Sequence, residues 1–169
     1  MNKNLINIAV LQIGWWSITL TYQTPLIYAA IVSLLLAIHF IFCVLDKKKE
    51  LLFILTGTII GCLFDYLAIE LKLFLPTHEY TLFPLWLICY WLIFTTSFSF
   101  SLSWLKNRWV LISILGFIMA PLTYYAGEKF GLLNFNEELG YIAYIYYGLF
   151  WAISYPLIFF THNKITSRA

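Results

Sequence analysis

The sequence of 169 residues has few charged side chains, since lysine, arginine, aspartate and glutamate together make up only 11% of it. A soluble globular domain contains about 25% of these residues, whereas this chain is 62% hydrophobic. The composition therefore excludes an ordinary soluble domain and predicts a membrane protein. The net charge of +2 comes from clustered cations and not from a basic face, so no nucleic-acid partner is expected.

Motifs for metal, cofactor or nucleophile chemistry are also missing. Cys43, Cys62 and Cys89 lie far apart within hydrophobic runs, which argues against a disulfide framework or a thiolate metal site. The sequence contains no P-loop, glycine-rich dinucleotide turn or G-x-S-x-G motif, and no serine–histidine arrangement is recognisable in it. His78 and Glu79 invite a metal interpretation, but no paired histidines or H-E-x-x-H spacing accompanies them. We therefore predict no metal and no cofactor.

The chain does contain six hydrophobic runs that approach the 20 or so residues needed by a transmembrane helix. Lipid cannot satisfy an open backbone, and the runs are too long for barrel strands, so helices are expected. The sequence predicts an all-α fold, a single domain over 1–169 that forms a polytopic bundle of six transmembrane helices. The predicted helices cover about 5–22, 25–45, 51–70, 84–105, 109–127 and 141–161.

Lysine and arginine are divided unevenly between the two ends of such a bundle. If the spans alternate, only Lys72 and Lys129 fall on the side away from the termini. The positive-inside rule then predicts cytoplasmic N- and C-termini. The first run lacks an A-x-A-like cleavage site, so we expect it to remain as a helix. The cations on the side of the termini are Lys3, Lys47, Lys48, Lys49, Lys106, Arg108, Lys164 and Arg168.

The third run contains Asp65, the only acidic residue well inside an apolar segment. Gly57 and Gly61 precede it at intervals of four, which places all three residues on one face of a helix. A carboxylate in a bilayer-length segment usually faces a packed interior or a wet cavity. Small residues on the same face allow another helix to approach closely. We therefore predict that this helix forms the inner wall of the bundle.

Aromatic and polar side chains at the middle and outer levels suggest a cavity opening outward, with Asp65 as its floor. Pro121 is expected to kink the fifth helix and help to open it. The alternative is a tightly packed bundle in which Asp65 bonds a tyrosine hydroxyl or an indole N–H. The candidate cavity residues are Asp65, Trp15, Trp16, Trp91, Tyr124, Tyr125, Glu128 and Gln12, and the predicted helix-packing residues are Gly57, Gly61, Gly116 and Ala120.

Two further features are expected to be structural. His39 is the one ionisable residue of the second run, and we predict that it is hydrogen-bonded to a neighbouring helix. The stretch TTSFSFSLSW in the fourth run is rich in hydroxyl groups, which can bond back to their own helix or across to a neighbour.

Four short motifs resemble a family of small multi-pass bacterial inner-membrane proteins that is catalogued as a domain of unknown function. The resemblance covers nearly the whole chain and implies a location in the bacterial inner membrane. It also suggests a setting among lipid-modifying and envelope-stress genes, but it supplies no reaction and no catalytic residue. The motifs are Gln12-x-Gly14-Trp15-Trp16, Gly61-x-x-x-Asp65, Pro84-x-Trp86-Leu87 and Pro121-x-x-Tyr124.

The sequence is compatible with three classes of function. The first is a binding or transport component for a small molecule or lipid, with its cavity around Asp65. The second is an accessory or enzyme of membrane-lipid modification, in which Asp65 donates or accepts a proton. The third is a structural subunit of a membrane complex. Membrane lipids are the expected partners, and the small size of the chain favours assembly with itself or with a membrane partner protein.

Overall fold

The computed structural model describes residues 2–77 and 83–166, and the predicted all-α class is confirmed there. Of its helices, α2, α3, α5 and α6 are long and apolar enough to cross a membrane by length and composition. The larger number of six transmembrane spans stays a prediction. The helices are α1 Lys3–Thr21, α2 Pro25–Phe42, α3 Lys47–Glu70, α4 Leu85–Thr95, α5 Trp109–Lys129 and α6 Tyr141–Thr166, and the strands are β1 Phe74–Pro76 and β2 Leu133–Phe135.

Helix α3 begins four residues before the predicted start at 51. The side chain of Asp46 accepts a hydrogen bond from the backbone N–H of Lys49 at 3.1 Å, which caps the first turn. The lysine run was expected to separate two helices, but it forms this first turn instead. As a result Glu50 also lies within the helix, on its buried side.

Helix α4 ends at Thr95, so the prediction of a helix over 84–105 was wrong in its second half. The hydroxyls of Thr96 and Ser97 donate to carbonyls three residues earlier, at 2.7 and 2.6 Å. Their backbone N–H groups also bond three residues back instead of four. Such back-bonding competes with the α-helical pattern, and the chain continues as tight turns to a short 3₁₀ helix at Ser103–Leu105.

These turns are held against α1 by Asn7, which is fully buried. Its amide nitrogen donates to the carbonyl and the hydroxyl of Thr96, and its amide oxygen accepts from the hydroxyl of Ser101 at 2.7 Å. The hydroxyl-rich stretch therefore bonds both to itself and to a neighbouring helix, as its composition predicts. Because of these contacts, the polar end of α4 is anchored although it is no longer helical.

The helices pack in two groups around α4. On one side α1 packs against α2 and α4, and on the other side α3 packs against α4 and α6 while α5 packs against α6. The antiparallel pair β1 and β2, which the sequence did not predict, joins the end of α3 to the segment after α5. We call this end of the bundle the sheet end, and the opposite end, where α1 starts and α6 finishes, the termini end.

Candidate functional site

Asp65 is the centre of a buried hydrogen-bond cluster that joins four helices. Its exposed fraction is 0%. Oδ2 accepts hydrogen bonds from Nε1 of Trp91 at 2.6 Å and from the hydroxyl of Tyr124 at 2.7 Å. Oδ1 accepts from the hydroxyl of Tyr147 at 2.7 Å. We call these four residues the Asp65 centre, in which donors from α4, α5 and α6 converge on one carboxyl group of α3.

Trp91 reaches Asp65 because Gly61 has no side chain. A Cβ added at Gly61 would overlap the indole ring of Trp91. The same indole stacks on Trp151, with ring centroids 5.1 Å apart and an interplanar angle of 13°. The predicted close approach at Gly61 is therefore made by a side chain of α4, and it positions the N–H that binds Asp65.

Asp65 has no ion-pair partner among the described residues. The ion pairs in that part of the chain join His39 to Glu50 and Lys49 to Asp46. The carboxyl group relies on neutral donors instead, and its neighbours are aromatic rings. The rings of Tyr124 and Tyr147 lie 4.5 Å apart. The packed alternative considered from the sequence named a tyrosine hydroxyl or an indole N–H as partner, and the structure contains both kinds of bond.

A second polar cluster surrounds Glu50 near the termini end. Oε1 of Glu50 lies 3.0 Å from Nε2 of His39, and Oε2 accepts from the hydroxyl of Ser99 at 2.7 Å. The same hydroxyl oxygen lies 3.0 Å from Nε2 of His162. We call His39, Glu50, Ser99 and His162 the Glu50 centre. It connects α2, α3, the turns after α4, and α6.

Sequence reasoning missed most of this second cluster. The expected bond of His39 to a neighbouring helix is present, but its partner Glu50 was assigned to a loop beside the lysine run. Ser99 and His162 were not singled out at all. A signal was available in Asp46, because recognising it as a helix cap would have placed Glu50 one turn into α3.

An elongated groove of about 580 Å³ runs between α1 and α5, with α4 and α6 as its floor. Its rim includes the exposed side chains of Gln12, Met119 and Leu122, while its floor includes the buried ring of Trp151. Its lining residues are Leu11, Gln12, Trp15, Tyr90, Phe94, Leu102, Trp104, Leu105, Leu115, Gly116, Met119, Ala120, Leu122, Thr123, Tyr124, Ala126, Trp151 and Tyr155. We call it the α1–α5 groove.

The structure separates the candidate residues into different places. Gln12, Trp15 and Tyr124 line the α1–α5 groove, as do the packing candidates Gly116 and Ala120. Asp65 is not among the lining residues, but it lies directly behind the groove wall because Tyr124 contributes both to the wall and to the Asp65 centre.

The remaining candidates lie outside the groove wall. Trp16 packs edge-on against Phe130, 5.6 Å between centroids, next to Trp15 at the sheet end. Tyr125 is exposed, with the ammonium of Lys129 over its ring at 4.8 Å. The carboxylate of Glu128 accepts from the backbone N–H of Phe135 and therefore supports the small sheet.

Helix packing at the other predicted small residues is close. A Cβ added at Gly116 would lie 2.6 Å from the backbone oxygen of Trp151, so α5 approaches the backbone of α6 there. A Cβ at Gly57 would lie 2.9 Å from a methyl group of Thr95.

His78 and Glu79, the two residues that invite a metal interpretation, lie outside the described residues. Arg168, one of the cations on the side of the termini, also lies outside them. Within the described ranges, no group of three or more metal-ligating side chains is assembled.

The chain belongs to the family described as "Protein of unknown function (DUF2878)", whose model matches residues 4–157. This confirms the resemblance to a domain of unknown function that the sequence motifs indicate. No curated protein and no solved structure matches the chain.

Proposed function

We propose that this family member is a multi-pass protein of the bacterial inner membrane, with cytoplasmic termini, that binds a membrane lipid in the α1–α5 groove. The observation that carries the proposal is the groove itself, which runs along the helix axes between two helices whose outer faces are apolar. Four helices of sufficient length and apolarity support the membrane location. The uneven division of lysine and arginine supports the orientation.

The dimensions of the groove suit one acyl chain. Along α5 its lining extends from Leu115 to Ala126, which corresponds to about 16 Å at 1.5 Å per residue. This is about half of the ~30 Å hydrocarbon thickness of a bilayer. A lipid chain lying along the helices would therefore fill the groove without leaving the hydrocarbon region.

The polarity of the lining also fits a lipid. Most lining residues are apolar or aromatic, and a few polar groups, including Gln12 and Thr123, are placed among them. At the sheet end Phe130 packs edge-on against Trp15 and Trp16, which closes the space between α1 and the end of α5. The chain of a bound lipid would end before this closure, with its headgroup towards the termini end.

A cation is available at that termini end. The guanidinium of Arg108 lies over the ring of Trp104, 5.8 Å from its centroid, and Trp104 lines the groove. Arginine binds phosphate groups through paired hydrogen bonds, and tryptophan is favoured at the membrane interface. We therefore assign the preferred ligand as a phospholipid whose headgroup lies near Arg108.

The test is photocrosslinking in lipid nanodiscs. A phospholipid with a diazirine on its acyl chain is incorporated at low mole fraction, and labelled peptides are mapped by mass spectrometry. We expect labelling concentrated on the lining residues of α1 and α5. Ala126→Phe blocks the sheet end of the groove and should reduce the labelling there, whereas Ala30→Phe, on the exposed face of α2, should leave it unchanged.

A second pair of variants tests whether the headgroup lies near Arg108. Arg108→Gln should weaken labelling by an anionic phospholipid more than Lys48→Gln, which removes an exposed cation of α3 away from the groove. Even labelling of all lipid-facing helices, unaffected by Ala126→Phe, would contradict the proposal. It would show ordinary contact with bulk lipid and favour a structural role in a membrane complex.

A further inference from the structure

A second apolar groove, of about 620 Å³, lies between α3 and α6 and reaches the sheet end. Its mouth is formed by Leu71 and Leu73 after α3 and by Leu139 before α6. Ile153, its deepest residue on α6, is the thirteenth of the 26 residues of that helix, so the groove occupies the half nearer the sheet end. We call it the α3–α6 groove, and its body is lined by Phe64, Tyr146, Leu149, Phe150 and Ile153.

Helix α3 ends at this mouth in a Schellman motif, a pair of backbone hydrogen bonds that closes the last helical turn. The N–H of Leu73 donates to the carbonyl of Ala68 at 2.9 Å, and the N–H of Lys72 donates to that of Ile69 at 2.8 Å. The motif places Lys72 in the left-handed region, with a φ of 54°. Glycine is favoured at this position, because the Cβ of any other residue crowds the backbone there.

Helix α5 ends at the same end of the bundle in the same motif, but with glycine. The N–H of Leu132 donates to the carbonyl of Gly127 at 3.0 Å, and Gly131, with a φ of 81°, donates to that of Glu128 at 2.9 Å. Lys72 therefore carries a backbone cost that Gly131 avoids in an equivalent turn. Strained positions of this kind are often functional, which directs attention to the lysine side chain.

The side chain of Asn136 ties the two sides of the mouth together. Its amide nitrogen donates to the carbonyl of Lys72 at 2.9 Å, and its amide oxygen accepts from the backbone N–H of Glu138 at 2.9 Å. Both neighbours of Lys72 in the chain line the groove, as does Leu139, which follows Glu138. A lysine and a glutamate are thus held at the mouth, one on each of the segments that form it.

These two charges are free to bind a ligand. Both side chains are exposed, and the ion pairs found among the described residues involve neither of them. An ammonium and a carboxylate at the mouth of an apolar groove complement a headgroup that carries a phosphate and an amine.

The type of amine can also be argued. A primary ammonium has three N–H donors for a carboxylate, whereas a choline group has none. The exposed carboxylates of Glu70 and Glu137, next to this mouth in the sequence, repel a headgroup that is only negative. The charges at the mouth therefore favour an ethanolamine headgroup over choline and over an anionic headgroup.

We propose that the α3–α6 groove is a second lipid site, which binds a phospholipid with a primary-amine headgroup in the half of the bilayer at the sheet end. Lys72 binds the phosphate, Glu138 binds the ammonium, and one acyl chain lies along α6 as far as Ile153. The site shares no lining residue with the α1–α5 groove. Either groove can therefore bind lipid without the other.

The experiment is headgroup-resolved photocrosslinking of the full-length protein in phosphatidylcholine nanodiscs. Three trace lipids carry the same diazirine acyl chain and differ only in a phosphoethanolamine, phosphocholine or phosphoglycerol headgroup. Labelled peptides are mapped by mass spectrometry. We expect the ethanolamine lipid to label residues 139–153 several-fold more strongly than either of the other two.

The decisive variant is Lys72→Gly, which removes the ammonium and also relieves the left-handed backbone. We expect the three lipids to label the groove equally in this variant, while its Tm is no lower than that of the wild type. Glu138→Gln should likewise abolish the preference for ethanolamine over choline. It changes an exposed side chain whose residue bonds Asn136 through the backbone, so it tests the site without disturbing the turn.

The matched control is Lys129→Gln, which removes another cation near the sheet end. Its ammonium lies over the ring of Tyr125 and does not line the groove, so the ethanolamine preference should be retained. Equal labelling of the wild-type groove by all three lipids would overturn the proposal, and so would a preference that survives both Lys72→Gly and Glu138→Gln. A groove that none of the lipids labels would show that protein covers it, and would overturn the proposal as well.

Discussion

The two buried carboxyl groups of α3 lie fifteen residues apart and have different kinds of hydrogen-bond partner. Asp65 is surrounded by aromatic rings and accepts from an indole N–H and two phenol hydroxyls. Glu50 is bonded to an imidazole and to a serine hydroxyl, which leads to a second imidazole. The first set is held in place by large packed rings, whereas the second consists of small, adaptable groups near one end of the bundle.

This difference indicates that the two centres contribute differently to the stability of the bundle. Three rigid donors from three helices fix the position of Asp65, so the Asp65 centre determines how α4, α5 and α6 meet α3. At the Glu50 centre the bonds pass through the hydroxyl of Ser99, which can rotate and is only partly buried. The Glu50 centre is therefore held less rigidly than the Asp65 centre. The comparison predicts that stability depends mainly on Asp65 and its partners.

The largest effect is expected from Asp65→Ala. It leaves the buried donors of Trp91, Tyr124 and Tyr147 without an acceptor, and each unsatisfied donor costs about 1–3 kcal/mol. For three donors we expect a loss of at least about 3 kcal/mol in the free energy of unfolding, measured by titrating detergent-solubilised protein with a denaturing detergent. Glu50→Ala should cost clearly less, and an equal loss for both variants would contradict the comparison.

A smaller loss is expected from Gly61→Ala. The added methyl group overlaps the indole of Trp91, which must move and weaken its bond to Asp65. Overpacking of this kind costs about 1–3 kcal/mol, and we expect the upper part of that range here. Near-ultraviolet circular dichroism should also change, since Trp91 stacks on Trp151.

Gly57→Ala is the matched control on the same helix face. Its Cβ would lie 2.9 Å from a methyl group of Thr95, whose hydroxyl donates to the backbone carbonyl of Trp91, and not against the indole ring itself. We expect a loss near the lower end of the same range, about 1 kcal/mol, with the tryptophan signal retained. If Gly57→Ala lowered the free energy of unfolding as much as Gly61→Ala, the close approach of Trp91 would not explain why residue 61 is a glycine.

At the Glu50 centre, Ser99→Ala should lower the free energy of unfolding by about 1–2 kcal/mol. It removes a donor to Glu50 and an acceptor for His162, but Ser99 is only partly buried and water can replace it. Ser103→Ala is the control, since that hydroxyl is exposed and bonds a carbonyl three residues back. Its effect should stay within about 0.5 kcal/mol. A Ser99→Ala loss as large as that of Asp65→Ala would show that the Glu50 centre is equally rigid.

The positions of the helices could largely be predicted from the sequence, because apolar runs of bilayer length have few other stable forms. The exceptions have local causes. Helix α4 stops early because the hydroxyls of Thr96 and Ser97 compete for its carbonyls. The strands of three residues each are too short to give a periodic pattern. They pair across 57 to 61 positions of the chain, from Pro76 with Leu133 to Phe74 with Phe135.

Asp65 could be identified as a polar focus because a carboxyl group in an apolar helix is costly. Two of its partners, Trp91 and Tyr124, were among the candidate residues for the same region. The Glu50 centre could not be found this way, because Ser99 is separated along the chain from its partners Glu50 and His162 by 49 and 63 positions. Contacts of that kind depend on how the helices rotate against each other, and helices that are apolar on all faces carry little information about rotation.

The finest test of the comparison uses two tyrosines one turn apart on α6. Tyr147→Phe removes a fully buried donor to Asp65, and Tyr144→Phe removes a partly exposed donor to Glu128, at 2.7 and 2.8 Å respectively. Glu128 keeps its bond to the backbone N–H of Phe135, and water can reach the other oxygen. We expect losses in the free energy of unfolding of about 1–2 kcal/mol for Tyr147→Phe and about 0.5 kcal/mol for Tyr144→Phe. Since the two bonds have nearly the same length, a difference in this direction would come from burial, and a reversed order would show that the sheet end limits the stability of the bundle.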